Sequence, residues 1–105
     1  MSQHKYKTCL EKQEVTVLMG WDRPLQYFYL VIDANDSDPV WSNLDLRNPY
    51  QNDLTLYKKV LNQHGITVPE QMFSEILQDK ELDVGNKTVT HSIINGEYRR
   101  EQVNE

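Results

Sequence analysis

Three histidines, one cysteine and an acidic turn are the residues of this chain whose types invite a chemical reading. His4, His64 and His91 lie far apart, and none has a second His, Cys or carboxylate at a recognised metal-ligand spacing. His64 falls in the last turn of an expected helix, where a protonated imidazole complements the helix dipole. His91 alternates with Val89 and Ile93 and shares a strand face with them; a sheet-face histidine satisfied by one hydrogen bond accounts for it better than a general base. Cys9 has no Gly-x-Ser-x-Gly, caspase-like or papain-like context and reads as a small hydrophobe. Asp33, Asn35, Asp36, Ser37 and Asp38 offer alternating oxygens to a hard cation, but Asp38 stands where an EF-hand loop needs Gly and Leu44 where it needs the bidentate Glu. A turn whose side chains bond their own backbone explains that run. Gly85 and Gly96 are isolated, so no phosphate-cradling loop is present. The expectation is no metal, no cofactor and no catalytic residue.

The aromatic residues carry more weight. Trp21, Tyr27, Tyr29, Trp41, Tyr50 and Tyr57 are bulky amphipathic groups of the kind that fills thin cores and is also enriched in interaction hot spots. Tyr27 and Tyr29 share a strand face, and Trp41 neighbours them if a third strand pairs with the second. Trp21, Asp22 and Arg23 are demanding choices for a bare turn. The candidate partner-binding set is therefore Trp21, Asp22, Arg23, Tyr27, Tyr29 and Trp41. Base stacking by the same rings is disfavoured, because only Arg23 lies close enough in sequence to contact phosphate.

The elements that must position these groups follow from periodicity. Val15, Val17 and Met19 alternate along a first strand, Asp22, Arg23 and Pro24 form a turn, and Leu25 to Ile32 return as a second strand. That second strand is apolar or aromatic on both faces, which predicts a central place in the sheet. After the turn at residues 33–39, Val40, Trp41 and Leu44 suggest a short third strand. Leu56, Tyr57, Val60 and Leu61 recur at helical spacing, which predicts a helix from Leu54 to His64, opened by Asn52 or Asp53 and stopped at Gly65. Pro69 opens a second helix with the stripe Met72, Phe73, Ile76 and Leu77, fading near Lys80. The run from Thr88 to Ile94, the Asn95-Gly96 turn and the residues after it predict a closing hairpin. Residues 1–13 and 104–105 read as loosely ordered, with at most an edge strand around Tyr6 to Leu10. The expected fold is a single α+β domain over residues 1–105. It is a mainly antiparallel sheet, made of an N-terminal hairpin, a short third strand and a C-terminal hairpin, covered on one face by a two-helix hairpin.

Composition narrows the function classes. A net charge of -5 and a pI near 5.1 repel phosphate backbones, so no nucleic-acid partner is expected. A single cysteine excludes an internal disulfide and fits a reducing cytoplasm. No apolar run approaches the length of a membrane span or a signal sequence.

Gly20-Trp21-Asp22-Arg23-Pro24-Leu25-Gln26, then Val40-Trp41-Ser42-Asn43-Leu44, then Val84-Gly85-Asn86-Lys87, resemble a group of short bacterial single-domain proteins of uncharacterised function. The resemblance implies a compact bacterial domain in which this GWDRPLQ-type hairpin is a defining feature, and it implies no activity. Three readings follow. The first is a non-enzymatic cytosolic domain that binds a protein partner or a second copy of itself. The alternative is a small enzyme or ligand-binding protein using Asp22, Arg23 and His91 between sheet and helices. The third is an acidic inhibitor that imitates nucleic acid with the carboxylates of residues 33–53 and 70–83.

Overall fold

The structure is a computed structural model that describes residues 1–10, 13–34, 39–43, 46, 51 and 53–103. Among these, the chain forms β1 (Ser2–Leu10), β2 (Gln13–Asp22), β3 (Tyr27–Ala34), β4 (Pro39–Ser42), α1 (Thr55–Gln63), α2 (Glu70–Glu81), β5 (Lys87–Ile94) and β6 (Glu97–Val103). The strands make one six-stranded sheet in the order β4-β3-β2-β1-β5-β6. Every pairing is antiparallel except β1 with β5, which are parallel. The fold is thus the expected α+β domain with a mainly antiparallel sheet, in which β1–β5 is the one parallel pairing. Among the described residues no helix is long and apolar enough to cross a membrane.

The N-terminal segment overturns its expectation. Ser2–Leu10 is neither a loose arm nor an edge strand: it lies in the middle of the sheet, bonded to β2 on one side and β5 on the other. Ser2 and His4 are fully buried and Tyr6 half-buried on the face toward the helices. An internal strand can be this polar when its buried side chains find partners. The second strand is correspondingly displaced: β3 is flanked on both sides, but the centre of the sheet is β1 and β2. It also starts two residues later than expected. The Asp22 carbonyl accepts the Gln26 N–H at 2.7 Å and Gln26 takes a left-handed φ of 56°, so residues 23–26 are consumed by the tip.

Helix spacing behaves as expected. Tyr57, Val60 and Leu61 of α1 and Met72, Phe73 and Ile76 of α2 are buried against Val17, Met19, Phe28, Leu30 and Ile32 of the sheet. Asp53 accepts the Thr55 N–H at 3.0 Å at the start of α1, and Gly65 at φ 71° follows its end. His64 closes that helix by bonding its imidazole Nδ1 to the Val60 carbonyl at 2.9 Å. Leu77 departs from its expected stripe: it is exposed, and Asp79 is buried in its stead. Asn95 and Gly96 both have positive φ, as a two-residue hairpin turn between β5 and β6 requires.

Candidate functional site

The tip that looked like a docking feature is mostly tied down within the chain. Trp21 is 2% exposed, packs edge-to-face on Phe28 at 5.3 Å, and donates its indole N–H to Asp83 at 3.2 Å. Arg23 Nε reaches the same carboxylate at 3.3 Å and Gln26 Nε2 at 2.8 Å. Asp83 follows α2 with a left-handed φ of 49°, so the three donors hold the end of that helix and keep the Asp83 carboxyl below its usual range. Asp22 is buried and caps the Leu25 N–H at 3.3 Å. Of the six candidate binding residues, Arg23 alone is well exposed.

The aromatic face is divided. Tyr27 and Tyr29 are buried and alternate with Phe28 and Leu30, which face the helices. The Tyr29 hydroxyl donates to the Ser2 carbonyl across Gly20, where a Cβ would overlap that carbonyl oxygen. Trp41 pairs with Ile32, on the opposite face from both tyrosines, and packs edge-to-face on Tyr57 at 6.2 Å. The continuous patch expected of Tyr27, Tyr29 and Trp41 therefore does not form.

The concentration of chemistry lies elsewhere, where α2 crosses β1, β5 and β6. Positions 75 and 79 are one turn apart on α2 and face the sheet. Strand alternation puts His4 of β1, His91 of β5, and Tyr98 and Arg100 of β6 on that same side. Three rings and one carboxylate form a chain. The Tyr98 hydroxyl lies 2.7 Å from His91 Nδ1, His91 Nε2 lies 2.8 Å from His4 Nδ1, and His4 Nε2 lies 2.6 Å from Asp79 Oδ2. The imidazole planes lie within 28° of each other, and the ring centroids are 5.1 Å apart. Lys87 donates to Asp79 at 2.8 Å and pairs with Glu75 at 2.7 Å, while Arg100 grips Glu75 through Nε at 2.6 Å and Nη2 at 2.8 Å. His4, His91 and Asp79 are buried to 1% exposure or less. Among the described residues no buried side-chain polar atom is left without a partner.

Electrostatics keep Glu75 and Asp79 ionised and His91 neutral at pH 7. Burial would raise the Glu75 carboxyl, but hydrogen bonds from Arg100 and Lys87 outweigh it and pull it down to about 2. Asp79 is likewise held low against its burial by His4, Lys87 and Ser2. Burial, reinforced by His4, depresses His91 to about 4, so it is neutral at pH 7. Two proton arrangements satisfy every ring nitrogen. With His4 neutral, Tyr98 donates to His91, His91 to His4, and His4 to Asp79. With one more proton, His4 donates both ways and His91 donates outward to the Tyr98 oxygen. The chain can thus accept a proton by reversing its donors, with no movement of a heavy atom.

Asp22 and Arg23 do not join His91: their bonds run to the tip and Asp83, and those of His91 to His4 and Tyr98. A separate open cavity of about 210 Å³ between α1 and α2, lined by Lys58, Leu61, Ile66, Val68 and Phe73 among others, contains no part of the cluster. Asp36, Asp38 and Asp45 of the first acidic run, with Asn35 and Ser37 of the expected self-bonded turn, lie outside the described residues. In the second run, Glu75 and Asp79 turn inward to Arg100, Lys87 and His4. Sequence reasoning singled out His91 but missed His4, Glu75, Asp79, Lys87, Tyr98 and Arg100. The available signal was weak: two carboxylates one turn apart beside an apolar stripe, and a histidine in phase with Ser2 and Tyr6. No family model, curated protein or solved structure matches this chain.

Proposed function

We propose that this chain is a cytoplasmic protein-interaction domain that acts by pairing β6 with β6 of a second copy. The observation that carries the reading is the contrast between the two sheet edges. β4 is short, starts at Pro39 and breaks register opposite Ile32 and Asp33, which are devices that block strand addition. β6 has seven residues in unbroken register with β5, contains no proline, and among the described residues pairs on one side only. Ile93, Ile94 and Val103 add half-exposed apolar surface along this hairpin.

Charge complementarity selects the partner. An antiparallel two-fold pairing centred on Arg100 sets Arg99 opposite Glu101 twice, Tyr98 opposite Gln102, and Glu97 opposite Val103. The two Arg100 side chains meet near the axis, but each is neutralised by its own Glu75. The single cysteine supports the reducing compartment. Light scattering across a concentration series tests the proposal. Arg99→Glu and Glu101→Arg each weaken the dimer by about 10-fold, and the double exchange restores it because both reciprocal pairs re-form. A monomer at every concentration, or a double variant no better than the singles, overturns it.

A further inference from the structure

We propose that His4 Nδ1, His91 Nε2 and a Glu75 carboxylate oxygen form a site for a divalent transition metal, zinc by preference, which takes the place of the proton shared by the two imidazoles. This rests on the interior of the cluster and does not require pairing at β6, although it draws on the Glu75 that neutralises Arg100 there.

The ligand atoms of these three residues all lie within 4.8 Å of one another, and they come from three elements, β1, α2 and β5. Two imidazole nitrogens and one carboxylate match zinc and its first-row neighbours, and they exclude calcium and magnesium, which take oxygen. The outer ring of partners is already built. A metal-bound histidine needs its second nitrogen held by a carboxylate or an equivalent acceptor. His4 Nε2 sits on Asp79 at 2.6 Å and His91 Nδ1 on Tyr98 at 2.7 Å, so both rings are oriented with their other nitrogens toward each other.

Proton balance is straightforward. In the neutral chain His91 carries its proton on Nε2. On metal binding that proton leaves Nε2 and Nδ1 gains one, donating now to the Tyr98 oxygen; no net proton is released. The facing nitrogens, 2.8 Å apart, open to roughly 3.3 Å, the separation set by two Zn–N bonds of about 2.0–2.1 Å at a tetrahedral centre. Glu75 Oε1 accepts one bond, from Arg100 Nε, and retains a lone pair for the metal. Arg100 and Lys87 both compete for that carboxylate; the Arg100 side chain is 35% exposed and can turn to solvent.

Titration of the whole chain with Co²⁺, and with Zn²⁺ in competition, tests the site. The expected result is saturable 1:1 binding with visible d–d absorption. Imidazole ¹⁵N spectra should show metal shifts at His4 Nδ1 and His91 Nε2 and none at His64. His64→Gln binds as the parent does. Tyr98→Phe weakens binding by about 10-fold and Glu75→Gln by about 100-fold. Arg100→Gln tightens it by about 10-fold, because a competing cation leaves the carboxylate. Absence of saturable binding, or bound metal that leaves those two nitrogens unshifted in the parent protein, overturns the proposal without relying on any variant's fold.

Discussion

Beneath α1 the sheet meets the helices with Phe28, Leu30, Ile32 and Trp41 against Tyr57 and Leu61, whereas beneath the C-terminal half of α2 it meets them with His4, His91 and Lys87 against Glu75 and Asp79. The two regions are comparably buried, and they are held by different physics. In the first, the favourable term is apolar surface removed from water, which is non-directional and tolerates repacking. In the second, each buried polar group is stable only because a particular partner stands at a particular distance. The apolar half supplies cohesion. The polar half specifies which strand lies beside β1, since a displaced β5 would strand His4, His91 and Asp79 in the interior without partners.

The sharpest break of that contrast is removal of one charge from the polar half. Asp79→Ala leaves His4 Nε2 and Lys87 facing a void and should cost about 3–5 kcal/mol, read from urea denaturation. Ile76→Ala, the same truncation at a fully buried position one turn-face away, should cost about 3 kcal/mol through its cavity. A larger loss at Ile76 than at Asp79 would mean that the network is a passive filler.

Acid should act on the polar half. His91 has its folded pKa depressed from 6.5 to about 4, so the unfolded chain binds the proton first and stability falls as pH drops from 6.5 toward 4. Glu75, depressed from 4.5 to about 2, extends the loss over the next window down. The groups around His91 are His4, Glu75, Asp79, Lys87, Tyr98 and Arg100, and of these Glu75 favours the added charge while His4, Arg100 and Lys87 oppose it. His91→Gln should therefore flatten the melting temperature between pH 6.5 and 4 and leave the lower window; an unchanged upper slope would assign it elsewhere. The smallest effect is expected in the apolar half: Tyr57→Phe removes only the hydroxyl that donates to the Phe28 carbonyl at 2.8 Å, worth about 1 kcal/mol by thermal denaturation.

The helix pair, the β2–β3 hairpin and the Asn95-Gly96 hairpin were legible because each rests on local rules: a 3.6 or 2 period in apolar residues, and turn residues that tolerate positive φ. β1 was not, because Ser2, His4 and Tyr6 alternate with Gln3, Lys5 and Lys7 in a pattern that reads as polar throughout; only the partners on α2 and β5 reveal which side faces inward. The tip stands out in the sequence at Trp21, Asp22 and Arg23, but its bond to Asp83 does not, because Asp83 lies some 60 positions away.

By itself, then, the sequence determined both helices and the strands after β1, the α+β class, and the exclusion of disulfide-based folds, since these depend on neighbours along the chain and on composition. Tertiary structure alone decided that His4 meets His91 across 87 positions and Asp79 across 75, that β1 is central, and that the aromatic set is divided between two faces. The physical reason is that a hydrogen bond between side chains is specified by distance and direction in space, and no period or spacing along the chain encodes either.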